Sequence, residues 1–129
     1  MAQCPCGLAC EYTQCCARYH TGALHLQAPT PEALMRSRYS AYAMGLRQYV
    51  LDTWHASTRP EHMERFDAAA KWLGLTVKRV WTVSPDEGVV EFVARSKSRD
   101  GGPAQRLEEL SRFLRVDGRW LYLNAAPAP

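Results

Sequence analysis

Phe113-Leu114-Arg115-Val116-Asp117-Gly118-Arg119-Trp120-Leu121-Tyr122-Leu123 decides the fold. Two apolar, β-prone runs are separated by Asp-Gly, the pair that most readily takes the positive φ angles of a two-residue hairpin turn. One antiparallel hairpin therefore closes the chain, and its first arm needs a partner of matching length. Leu107 to Leu114 could also be helical, because Leu107, Leu110 and Leu114 fit that spacing; the demand of the hairpin assigns the segment to strand. Further upstream, Asp100-Gly101-Gly102-Pro103 and Pro85-Asp86-Glu87-Gly88 are turn sequences. Between and before them, Val89–Ser96 and the alternating run Thr76–Val83 supply two more strands.

The first half of the chain changes period. Thr30-Pro31-Glu32 offers a hydroxyl N-cap, proline at the first helical position and an early acid. Leu34, Arg38 and Ala41 then share one helical face, Met35, Tyr39, Tyr42 and Leu46 another, and Gly45 ends the helix. A second helix carries Tyr49, Val50, Thr53 and Trp54 as its buried stripe, and a third runs over about Glu61–Trp72. Helices followed by a strand meander predict an α+β body with helices against a curved, four-stranded antiparallel sheet.

Composition is that of a soluble globular chain: 129 residues, 47% hydrophobic and 22% charged. The first residues carry neither a basic start nor an apolar run, and nothing approaches the roughly 18 apolar residues of a membrane span, so the expected location is the cytoplasm. Formal net charge is +3, from scattered basic residues without a stripe. Four thiolates around one Zn²⁺ would bring it to about +1, which argues against nucleic acid as the partner.

All five cysteines lie between Cys4 and Cys16, too close together for a disulfide framework to staple distant parts of a fold. Cys4-Pro5-Cys6, eight residues, then Cys15-Cys16 places paired thiols at both ends of one loop, as tetrahedral zinc requires. The set Cys4, Cys6, Cys15 and Cys16 makes a closed structural site without an open position for substrate. Cys10 reads as a spare thiol, with an alternative ligand or a reactive thiol beside zinc as the other readings, and His20 is a candidate substitute ligand only where the four sulfurs fail. Residues 1–22 thus form a zinc knuckle too poor in large apolar residues to fold by burial alone. Residues 23–125 form the body and 126–129 a disordered tail, with a linker over 21–31 rich in turn formers.

The spacing C-x-C-x8-C-C, with Pro5, Gly7 and Tyr12, resembles the SEC-C motif found at the C-terminus of the SecA translocation ATPase; Leu8-Ala9 stands where Ser-Gly is usual. Pro31-Glu32-Ala33-Leu34-Met35-Arg36-Ser37-Arg38-Tyr39-Ser40-Ala41-Tyr42, Thr53-Trp54-His55, Trp72-Leu73-Gly74-Leu75, Val90-Glu91-Phe92, Ser111-Arg112-Phe113 and Asp117-Gly118-Arg119-Trp120 are similar to the signatures of the YchJ-like family of small bacterial SEC-C proteins. That resemblance implies a nuclear-transport-factor-2-like body, a structural zinc ion, and a knuckle that contacts a protein or ribosomal partner. The expected function is non-enzymatic binding. The alternative is a small-ligand site or enzyme in a cavity lined by Arg38, Tyr42, Trp54 and His55, with His55 as the one candidate base of the body.

Overall fold

The computed structural model describes residues 3–8, 10–61, 70–98 and 102–127. Three helical segments, α1 (Ala17–His20), α2 (Pro31–Met44) and α3 (Arg47–Asp52), precede four strands, β1 (Ala70–Ser84), β2 (Glu87–Ser98), β3 (Gln105–Val116) and β4 (Arg119–Pro127). The strands pair in the order β1-β2-β3-β4, each antiparallel to the next, as a meander of short connections should.

The local signals operate where the sequence places them. Thr30 Oγ1 accepts the Ala33 N–H at 3.0 Å, Pro31 opens α2, and Gly45 closes it at φ 75° with its N–H turned back to the Ala41 and Tyr42 carbonyls. Thr30→Ala should therefore lower stability by about 1 kcal/mol in a denaturant titration; no measurable change would mean the cap is dispensable. Asp117 and Gly118 both have positive φ, 51° and 80°, and join β3 to β4 in the two-residue hairpin. In β3 the strand reading of 107–114 holds: Leu107, Glu109 and Ser111 line one side, while Phe113 is fully buried.

Two expectations change. The third helix falls largely on residues 62–69, which lie outside the described residues, and residues 70–72 belong to β1 instead. β2 continues to Ser98 and offers backbone partners there, with Trp72 opposite Ser96. The second helix ends at Asp52, so Trp54 is not part of its stripe. Tyr122 N–H donates to the Thr53 carbonyl and His55 N–H to the Tyr122 carbonyl, both at 2.7 Å, which stitches residues 53–55 to β4.

The core lies between α2, α3 and one face of the sheet, where Leu34, Val50, Val90 and Phe113 are fully buried. Register shifts at Trp72/Gly74, Val77/Arg79 and Thr82/Ser84 put extra residues in β1, and the one opposite Arg112/Phe113 leaves Leu123 extra in β4, so both edge strands bend. Ser37 and Ser40 on α2 are also fully buried, away from any apolar stripe. The N-terminal segment covers them.

Candidate metal centre

Residues 3–16 fold back on themselves through the Cys4 N–H···O=C Cys10 bond at 3.0 Å and a bridge between Gln3 and Glu11. A 3₁₀ turn over Tyr12–Gln14 then delivers Cys15 and Cys16 to the start of α1. The Sγ atoms of Cys4, Cys6, Cys15 and Cys16 converge within 4.8 Å of one another, and Cys6 and Cys15 stand 3.6 Å apart. Four sulfurs about 2.3 Å from one tetrahedral zinc ion lie about 3.8 Å apart, so the donor set fits such an ion in type, number and spacing. All five thiols are free of disulfides, and the four converging ones are at most 4% exposed.

The charges fit as well. Hydrogen bonding from Cys16 pulls the Cys6 thiol well below its ordinary pKa. The hydrogen bond with Cys6 and burial push Cys16 up, and burial with hydrogen bonds to Cys10 and Cys6 does the same for Cys15. A bound cation would favour the thiolate form of the four sulfurs that ligate it. Around it, Arg36 Nη1 donates to the Cys6 carbonyl and Arg18 Nε to the Cys15 carbonyl, both at 2.9 Å, placing two guanidinium groups beside an anionic cluster. Cys10 packs against the cluster half-buried and outside the four.

The knuckle is seated on the body. Ser40 Oγ lies 3.4 Å from Cys4 Sγ. Gly7, at φ +93°, passes so close to β1 that a Cβ there would come within 2.9 Å of the Leu75 carbonyl oxygen, which explains the glycine.

His20 is no ligand. Its Nε2 lies 2.8 Å from the Ser37 carbonyl and must carry the proton; Nδ1 then accepts from Tyr12 Oη at 2.7 Å. The imidazole ties the knuckle, α1 and α2 together as a neutral group, and burial lowers its pKa below 6.5. As pH falls through 6.5 the unfolded chain takes up this proton before the folded one, so stability is lost on acidification. His20→Gln should be less stable than wild type at pH 7 yet show a shallower loss between pH 6.5 and 5.5 in chemical denaturation. Parallel curves would remove His20 as the acid-sensitive group.

The other candidate residues divide. Arg38, Tyr42 and Trp54 line a cavity of about 190 Å³ between α2 and the sheet, together with Trp72, Glu109 and Tyr122. His55 is not among the lining residues; it lies partly exposed in a local turn, where Nδ1 accepts from Ser57 N–H at 3.0 Å and meets Ser57 Oγ at 2.8 Å. Sequence reading missed Arg18, Arg36, Ser37 and Ser40 as supports of the thiol cluster. The one available signal was the pair of small polar residues, Ser37 and Ser40, one turn apart on α2.

Comparison with known proteins bears on both regions. The family model described as "YchJ, middle NTF2-like domain" matches residues 30–125. A protein of Chromobacterium violaceum called "UPF0225 protein" is 55% identical over 131 residues, covering 98% of this chain and 94% of the relative. The solution structure of a SEC-C motif containing protein from Rhodopseudomonas palustris superimposes with a TM-score of 0.83 at 32% identity, covering 98% of both chains. The crystal structure of one from Psychrobacter arcticus gives 0.75 at 28% identity, covering 98% of this chain and 82% of that one.

Proposed function

The chain belongs to the YchJ-like family of SEC-C motif proteins, and we propose that it acts as a non-enzymatic binding or adaptor protein whose knuckle, held by a structural zinc ion, contacts a protein or ribosomal partner in the cytoplasm. The observation that carries this reading is the inward convergence of four buried sulfurs. Four protein ligands complete a tetrahedral zinc ion and leave no position for substrate, so the metal's work is to hold shape. Cys4, Cys6, Cys15 and Cys16 would hold it, and reduced cytosol would keep them as thiols.

The reading is also supported by what the knuckle leaves outward. Leu8 and Leu24 are 42% and 48% exposed, and Thr13, Gln14 and Arg18 lie on the same segment. A groove of about 710 Å³ runs along the seam with α3, lined by Tyr12, His25, Arg47 and Asp52 among others. Apolar side chains beside mixed charges are the makings of a modest protein interface.

Leu8→Asp and Leu24→Asp alter that surface without touching a sulfur. Affinity capture and co-sedimentation with purified ribosomes should find partners that the intact chain retains and the double variant loses, with both melting alike. Equal retention by both chains would end the adaptor reading.

A further inference from the structure

We propose that the cavity between α2 and the sheet is a binding site for a small organic monoanion, a carboxylate on a flat apolar body, held by the Arg38 guanidinium and the Trp54 indole N–H. The site is separate from the thiol cluster and does not depend on the adaptor role.

Arg38 is 4% exposed and lines the cavity. Among the described residues its hydrogen bonds go to the Val50 carbonyl at 2.8 Å and Thr53 Oγ1 at 2.7 Å, both from Nη1 and both to neutral oxygens. Rings flank it, with the guanidinium carbon 4.4 Å from the Tyr122 centroid and 5.0 Å from that of Trp54. Among the described residues no carboxylate lies within ion-pair distance of Arg38. Cation–π stacking offsets part of the cost of burying a charge, but a desolvated cation without a counter-anion remains expensive. Burial lowers the Arg38 pKa to about 10, still far above neutrality, so the group stays charged.

Trp54 Nε1 provides a second, independent pointer: it is buried and has no hydrogen-bond partner among the described residues. Buried donors are rarely left unpaired in native proteins. A carboxylate between the indole N–H and the guanidinium would satisfy both. The remaining wall is mostly aromatic, with Tyr42, Trp72 and Phe92, and suits a flat apolar body. About 190 Å³ limits that body to a single small ring. Glu109 lines the same cavity, half-buried and outside every ion pair of the described residues. When ionised it repels any bound anion and a dianion about twice as strongly, so the site prefers monoanions to dianions.

Benzoate is the probe, benzamide its neutral counterpart and phthalate its dianionic one. Titration into the ¹⁵N-labelled, metal-loaded full chain should move the Trp54 indole resonance to saturation. By isothermal titration calorimetry, benzoate should bind about tenfold more tightly than benzamide, the loss expected for one charge-assisted hydrogen bond, and more tightly than phthalate, which Glu109 repels. Trp54→Phe keeps the ring and removes the donor, and should weaken benzoate severalfold; Glu109→Gln should narrow the gap to phthalate alone. Arg38→Gln removes the charge and should abolish the preference for benzoate over benzamide, and Trp54→Phe carries the test where that variant fails to fold. A stationary Trp54 signal, or equal affinity for benzoate and benzamide, would overturn the proposal.

Discussion

Cys6→Ser and Cys15→Ser should each leave the purified chain without stoichiometric metal and lower its melting temperature by more than about 10 °C. Structural zinc contributes on the order of 10 kcal/mol to the folding of a knuckle. Nothing else can replace it here, because the cluster's packing partners are the thiols themselves with Cys10 and Tyr12. The loss should spread into the body, since the docked knuckle covers Ser37 and Ser40 of α2, holds Arg36 through the Cys6 carbonyl, and brings His20 to Ser37. If even 3 kcal/mol or so is lost this way, a domain of this size melts roughly 10 °C lower. Elemental analysis and calorimetry read both effects, and a chelator should reproduce them in the intact chain. Cys10→Ser should keep its metal. A metal-free wild type, or a Cys6→Ser chain that melts with it, would remove the zinc reading altogether.

Phe113→Ala should cost about 3–5 kcal/mol by urea or guanidinium titration, a large part of the total stability of a domain. Phe113 is completely buried on β3, an inner strand, and meets Tyr122 edge-to-face with ring centroids 5.9 Å apart. Truncation opens a void beneath α2 that rigid strands on both sides cannot close. Metal content in the folded fraction should not change, which distinguishes this loss from that of the thiol variants. A cost below about 1 kcal/mol would mean the sheet collapses around the gap and Phe113 is no keystone.

The features legible in the sequence are those written in a few adjacent residues. Thr30-Pro31 and Gly45 bound α2 because capping depends on one hydroxyl, one ring and one missing Cβ. Asp117-Gly118 joins β3 to β4 because both residues tolerate positive φ. Four paired thiols declare their chemistry by spacing alone. From these, the α+β order with a four-stranded antiparallel sheet follows directly.

What lay beyond reach involves contacts between residues far apart in the chain. Trp72 reads as the end of a helix by local pattern, yet the length of β2 claims it for a strand. Trp54 and His55 are neighbours in sequence, but the pairing with Tyr122 brings the indole to the cavity and leaves the imidazole outside it. Nothing in the local pattern marks Ser37 and Ser40 as fully buried; the packing around them does that. Arg38 is a cavity candidate in the sequence, but the two rings that enclose it, Trp54 and Tyr122, meet it only in the fold. By itself, then, the sequence determined the helix caps, the hairpin, the strand order and the thiol set, because backbone angles and ligand spacing are local properties. Only the tertiary structure decided which polar groups lost their water, because desolvation depends on everything that packs around a group, wherever in the chain it comes from.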